Sequence, residues 1–210
     1  MVPILYLHGF ASGPGSAKGK AFEERFARLG VPLHRADLTP GPDGFERSTP
    51  LTMLAEAEKA LAATGARWVM GSSLGGYLSA LLASRHASVE KVVLLAPAFR
   101  LFERWSARLT PEQQADWQAS GLWVDHHITK DRRRIEWRFL AEARSLPAFP
   151  AVSVPALCIA GRRDDTVPLE DVEAWAARTP SARLLALDDG HDLLASVPRI
   201  FEEARAFLGV

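Results

Sequence analysis

The stretch Val69-Met70-Gly71-Ser72-Ser73-Leu74-Gly75-Gly76-Tyr77 constrains the fold of this chain more than any other. It passes from an apolar, strand-like run into an alanine- and leucine-rich helix, and at the join it spells G-x-S-x-G. A turn this sharp holds its serine at the carboxyl end of a strand, in a backbone conformation that few residues adopt. The glycines have a steric purpose: a Cβ at Gly71 or Gly75 would collide with the strand and helix that cross there.

The segments on either side supply the sheet that such a turn needs. Residues 4–7 are a short apolar run ending in His8-Gly9-Phe10, followed by the glycine-rich loop 11–15. Ser16 can cap a helix to about residue 29, with Phe22, Phe26 and Leu29 on one face and Gly30 as its stop. Residues 31–37 read as a second strand. Thr49 caps the next helix, with Pro50 at its first position and Gly65 at its end. Residues 67–70 form the third strand, and the helix after the turn runs to about residue 86. Further strands are expected at 91–95, 154–160 and 183–187, with helices at 169–178 and 195–208. Strands that are nearly all apolar, alternating with helices, imply an α/β architecture: a roughly six-stranded, mostly parallel sheet with helices on both faces.

Residues 99–149 break this rhythm. They hold four of the six tryptophans (Trp105, Trp117, Trp123 and Trp137) and two helical patterns, one opened by the capping box Thr110-Pro111-Glu112-Gln113 and one from about 133 to 144. The reading is a short helical lid, inserted after the fourth strand over the carboxyl edge of the sheet, where ligand sites are built. The plainer alternative is that the tryptophans only anchor the insertion to the body.

At 210 residues the chain fits one domain, with the lid as an insertion in it. Its 25 basic and 25 acidic residues cancel, which argues against nucleic acid or an anionic membrane as partner. The one cysteine, Cys158, lies in an apolar run and reads as a small core residue; it allows no internal disulfide and fits a reducing compartment. No apolar run approaches the ~20 residues of a membrane span, and no basic region precedes the first apolar segment. The expectation is a cytoplasmic protein, monomeric or a small homo-oligomer, acting on a small molecule.

A serine hydroxyl is a poor nucleophile unless a base takes its proton and an acid orients that base. Both candidates follow Ser73 in the order acid, then histidine. The acid is Asp164 or Asp165 in Gly161-Arg162-Arg163-Asp164-Asp165-Thr166-Val167-Pro168, and the base is His191 in Asp188-Asp189-Gly190-His191-Asp192. Each segment directly follows a strand, so all three groups come to one edge of the sheet. Donors for an oxyanion are expected from the backbone N–H of Leu74, next after the serine, and of Phe10 in the loop after the first strand.

With these residues in view the chain resembles a small α/β-hydrolase, through LHGF at 7–10, GSSLGG at 71–76, GRRDDTVP at 161–168 and DDGHD at 188–192. Its opening residues, with GSSLGGY, are similar to the short bacterial YqiA-like esterases. The W-x(3)-L-x-P-E segment of the insertion resembles the depalmitoylating thioesterase branch. The resemblance implies a carboxylic ester or thioester hydrolase that forms an acyl-enzyme on Ser73, with Asp164 as the acid and no cofactor or metal. The chain departs from the full pattern by starting directly on the HG strand, without the two usual leading strands.

Phe10, Tyr77 and Phe99 or Leu101 are the candidates for the acyl pocket, with Trp105, Leu109, Trp117 and Trp123 above it. Such a pocket suits an apolar acyl or aryl group. Ser72 is expected to shape the turn, His8 to brace its own loop, and Asp188, Asp189 and Asp192 to shape the histidine loop. His34 and His86 read as surface or strand-end residues. The pair His126-His127 lacks a third ligand for a metal, and Arg132-Arg133-Arg134 reads as a solvated helix start, with a substrate-carboxylate clamp as the alternative. Two other functions use the same residues: hydrolysis of an amide, peptide or C–C bond, and a non-catalytic ligand-binding module on this scaffold.

Overall fold

The computed structural model describes residues 1–210, beginning with β1 (Ile4–Leu7), which is buried along its whole length. Helix α1 (Ala17–Ala27) leads to β2 (Leu33–Arg35) on one side of β1, and α2 (Pro50–Thr64) crosses to β3 (Trp68–Ser72) on the other. Helix α3 (Leu74–Arg85) and β4 (Lys91–Leu95) follow. An insertion then brings α4 (Leu101–Arg108), α5 (Pro111–Ser120), the strands β5 (Leu122–Asp125) and β6 (Arg132–Ile135), and α6 (Arg138–Ala143). The chain closes with β7 (Ala156–Gly161), α7 (Leu169–Ala176), β8 (Ala182–Leu187) and α8 (Val197–Leu208).

The main sheet has six strands, all parallel, in the order β2-β1-β3-β4-β7-β8. Strand order reverses between β1 and β3, and a crevice outside the carboxyl ends of the strands is expected at that point. Successive residues of a strand face opposite sides, and both sides are covered here. Leu5, Leu7, Val69, Val92, Leu94 and Cys158 belong to a 38-residue core under α2, α3, α7 and the insertion. Ile4, Tyr6, Met70, Val93, Leu95 and Ile159 belong to a 17-residue core under α1 and α8. Two-sided burial is why the strands read as continuous apolar runs rather than alternating ones.

The expected caps form. Ser16 accepts from the Gly19 N–H, Thr49 and Thr52 form a reciprocal box ahead of Pro50, Gly65 ends α2 at φ 61°, and Thr110 and Gln113 form the second box. Helix α1 stops at Ala27, short of Leu29, which is left exposed.

The insertion differs from the expected all-helical lid. Residues 132–135 form a strand, and helix resumes only at Arg138. The local pattern is that of a strand, with Arg132 and Arg134 outward, Arg133 half-buried and Ile135 fully buried. Gly121, at φ 78°, ends α5 and starts the antiparallel hairpin with β5.

Two contacts tie this hairpin to the body. The Arg133 guanidinium forks onto the Glu46 carboxylate at 2.6 and 2.9 Å, so the arginine triplet is not a solvated helix face. At the hairpin turn, the His127 N–H donates to the Ala11 carbonyl at 2.8 Å, and Ile128 lies over Gly13 and Gly15. No helix is long and apolar enough to cross a membrane.

Helix α3 crosses the sheet at very close range. A Cβ on Gly75 would stand 2.1 Å from the Leu7 carbonyl oxygen, and one on Gly71 would stand 2.2 Å from the Gly75 carbonyl oxygen. Both obstacles are backbone and cannot rotate away. Gly75→Ala is therefore expected to force α3 off β1 and to destabilise the fold by about 3 kcal/mol or more. The shift of the denaturant midpoint relative to the parent chain measures it.

Candidate active site

Ser73 occupies the turn between β3 and α3 with φ 55° and ψ −118°, a strained conformation for a residue bearing a Cβ. Its backbone is pinned on every side. The Ser73 N–H donates to the Leu95 carbonyl at 2.8 Å, and its carbonyl accepts from the N–H groups of Tyr77 and Ala98, each at 3.0 Å. The hydroxyl is left facing a cavity of about 590 Å³.

The loops after β7 and β8 complete a chain of hydrogen bonds. Ser73 Oγ lies 2.9 Å from His191 Nε2, and His191 Nδ1 lies 2.8 Å from Asp164 Oδ2. The other Asp164 oxygen accepts from the N–H groups of Thr166 at 2.9 Å and Val167 at 2.7 Å. Burial disfavours the ionised Asp164, but the bonds from His191 and the two amides outweigh it and hold the carboxyl below its ordinary pKa. Asp165 accepts from the Thr166 hydroxyl and makes no bond to the imidazole, whose partner is Asp164, so geometry separates the two candidate acids. Asp189 braces the histidine loop by accepting from the N–H groups of Gly190 at 2.8 Å and Ser196 at 2.9 Å.

Phe10 and Leu74 both line the cavity beside Ser73, and neither backbone N–H is engaged within the protein. His8 braces the first of these loops. Its Nδ1–H donates to the Gly9 carbonyl at 2.9 Å, and its Nε2 accepts from the Leu38 N–H at 3.3 Å. Burial lowers its pKa, in keeping with the neutral tautomer those bonds require.

The aromatic residues separate into wall and scaffold. Phe10 lines the cavity and packs against Trp105 and Phe139, which line it too, with centroids 5.4 and 4.9 Å away. Leu101 is also a lining residue. Tyr77 and Phe99 lie behind the wall: the Tyr77 hydroxyl donates to the Pro147 carbonyl, and Phe99 stacks on Trp175 at 4.8 Å. Trp117 is buried inside the insertion against Trp105 and Trp137, donating to the Ile135 carbonyl. Leu109 packs nearby, and Trp123, on the outer face of β5, is 54 % exposed. Nearness to Ser73 in sequence was no guide for Tyr77, because α3 is buried almost all the way round.

Sequence reasoning also missed Lys18. It stands in the first turn of α1, lines the cavity, and donates from Nζ to Ser72 Oγ at 2.8 Å. Burial lowers its pKa from 10.5 to about 8, against the pull of Asp192, Asp189 and Asp164. The motif that flags Ser73 holds no trace of a lysine 55 positions earlier; only the placement of residue 18 directly after the Phe10 loop hints at it.

The sign of this shift sets a pH dependence. Between the two pKa values the unfolded chain holds more protons at this position than the fold does, so this group makes stability rise with pH across that window. Lys18→Met removes the slope. The stability of the variant relative to the parent is expected to fall, on the order of 1 kcal/mol, between pH 7 and pH 9.5. Paired denaturant melts at the two pH values check it.

The fold recurs in solved structures. Mouse alpha/beta hydrolase domain-containing protein 10 superposes with a TM-score of 0.82 at 19 % identity, over 99 % of this chain and 89 % of that one. Est1E from Butyrivibrio proteoclasticus, in a structure with ferulic acid bound, superposes with a TM-score of 0.80 at 21 % identity, over 98 % and 88 %. In sequence, the pimeloyl-[acyl-carrier protein] methyl ester esterase of Xanthomonas axonopodis pv. citri (strain 306) is 30 % identical over 227 aligned positions, covering 89 % of this chain and 86 % of the relative. Its counterpart in Xanthomonas campestris pv. campestris (strain B100) is 28 % identical, with the same coverage. Residues 3–208 match the family described as "Uncharacterised protein family (UPF0227)". The chain belongs to that family, built on the α/β-hydrolase fold.

Proposed function

We propose that this carboxylic ester hydrolase cleaves small to medium acyl or aryl esters through an acyl-enzyme on Ser73. The observation that carries the reading is the hydrogen-bond chain from Ser73 through His191 to Asp164, opening on the cavity beside two unengaged N–H groups. Ser73 Oγ attacks the ester carbonyl as His191 Nε2 takes its proton. The N–H groups of Phe10 and Leu74 hold the oxyanion. His191 then protonates the leaving alcohol, and a water repeats the sequence to release the acid. Asp164 fixes the tautomer with Nε2 free to accept, and it stabilises the imidazolium that forms.

In this reading the insertion is a lid, and the acyl or aryl group lies against Phe10, Leu101, Trp105 and Phe139. The relatives named for a pimeloyl methyl ester suggest an ester of a small alcohol as the bond. A cytoplasmic site of action belongs to the same proposal and fits the single cysteine, Cys158, fully buried in β7.

A fluorophosphonate probe is expected to label Ser73, and Ser73→Ala to lower p-nitrophenyl butyrate turnover by about 10⁴-fold or more. Parent-like turnover in that variant, or no labelling of the parent, would sink the mechanism, and the latter would favour the non-catalytic binding module. The acid is tested by a pair: Asp164→Asn should lose on the order of 10³–10⁴ in kcat, while Asp165→Asn stays within about threefold, as exposed substitutions away from a site usually do.

A further inference from the structure

One charged group in the cavity has no role in that mechanism. The Lys18 ammonium carries three N–H donors, and one of them is used, on Ser72 Oγ. No carboxylate stands within 4 Å of it, although most other cations of the chain with a partner that close are paired on the surface. A cation drawn from water whose nearest carboxylates, Asp164, Asp189 and Asp192, all stand beyond 4 Å costs stability, and a ligand's negative charge in direct contact would offset that cost.

Its neighbours across the cavity have the same sign. Lys130, at the hairpin turn, and Arg104 and Arg108, on α4, line the same space. Arg104 is paired with the Asp171 carboxylate at 3.9 Å, whereas Arg108 has no carboxylate within 4 Å and bonds only the Asp165 and Thr166 carbonyls, both from Nη2. The one acid on the lining is Asp192, which is exposed and makes no ion pair with Lys18, though its charge acts on it. In a chain whose formal charges cancel, three cations without a close carboxylate, Lys18, Arg108 and Lys130, against the one acid Asp192 are concentrated where the substrate must enter.

We propose that the cavity takes an ester bearing an anionic group, a carboxylate or a phosphate, away from the scissile bond, and that Lys18 is the residue that selects it. The proposal rests on the esterase reading and adds the charge of the substrate to it. The apolar wall of Phe10, Leu101 and Trp105 receives the spacer between ester and anion. The two free donors of Lys18 meet the anion, with Lys130 and Arg108 adding long-range attraction from the insertion.

The test compares substrates matched in size and differing in charge. One arm puts the charge on the acid side, as monomethyl suberate against its terminal carboxamide. The other puts it on the alcohol side, as 4-carboxyphenyl butyrate against 4-carbamoylphenyl butyrate. The parent chain should favour the carboxylate about tenfold in kcat/KM in one arm, through KM, as one charge-assisted contact provides. The preference should vanish in Lys18→Met and be largely kept in Lys18→Arg.

Equal rates for carboxylate and carboxamide in both arms, or an undiminished preference in Lys18→Met, overturn the proposal while leaving the esterase reading intact. If no ester is turned over, that reading fails by itself. The anchor is then read by calorimetric titration of suberate against suberamide, where equal affinities overturn it. Should Lys18→Met not fold, Lys18→Gln carries the same comparison. Competition of inorganic phosphate with suberate against p-nitrophenyl butyrate tells which anion the site takes.

Discussion

The contact on which this structure depends is the crossing of α3 over β1 and β3 at backbone-to-backbone range. Gly75 lies where any side chain would strike the Leu7 and His8 carbonyls, and Gly71 where it would strike Gly75. That approach does two things at once. It turns the chain sharply enough to leave Ser73 at positive φ, above the sheet edge. It also brings the end of β1 against the start of α3, which sets the Phe10 and Leu74 amides on the same cavity. The strain at Ser73 is held by three backbone hydrogen bonds and by the surrounding core, rather than by anything its side chain does.

The other two members of the site depend on the sheet in the same way, at a greater distance. Asp164 and His191 stand on loops leaving β7 and β8, adjacent parallel strands whose ends are level. Gly161 permits the last step of that approach, since a Cβ there would stand 2.5 Å from the Asp189 carbonyl oxygen. Each loop then fixes its own residue with its own amides, Thr166 and Val167 for Asp164, and Gly190 and Ser196 for the Asp189 brace. Preorganisation of this kind keeps the hydrogen-bond chain short without demanding that its members hold one another in place.

What the sequence discloses of this arrangement, and what it hides, follows from the range of the forces involved. Strands buried on both faces announce themselves as apolar runs, and caps are local hydrogen bonds, so the alternation of elements and most of their ends can be read directly. The triad candidates are legible because each follows a strand, and strand ends in a parallel sheet share one edge. The choice of Asp164 over Asp165 is not local, since both have the same neighbours, and a resemblance was needed to make it. The hairpin in the insertion was missed because Arg132 to Ile135 are compatible with either period, and a contact 87 residues away, Arg133 to Glu46, accompanies the strand. Tyr77 and Phe99 were misplaced for a related reason: Tyr77 sits on a helix buried almost all round, and Phe99 turns after β4 to stack on Trp175, a contact far along the chain that nearness to the cavity-lining segments does not reveal.

The division of labour between sheet and insertion bears on how such a site changes its substrate. The groups proposed for the chemistry come from four strand ends, and the close backbone contacts beneath them leave little room for change. The insertion shares the main core with the body through Leu101, Phe139 and Leu140, while its hairpin is held by polar contacts, among them the Arg133 fork on Glu46 and the His127 amide on the Ala11 carbonyl. Most of what it shows to the cavity, Trp105, Arg108, Lys130 and Ile128, is side chain on short elements rather than packed sheet. Substitution there alters the shape and charge of the space above Ser73 without moving the serine. Lys18 is the exception: it rises from the rigid side, on a helix packed beneath the sheet, and its ammonium is anchored one residue from the nucleophile. In the proposed reading, a charge held on the sheet side of the cavity acts on every substrate the insertion admits, so it sets a requirement that changes in the insertion refine but do not replace.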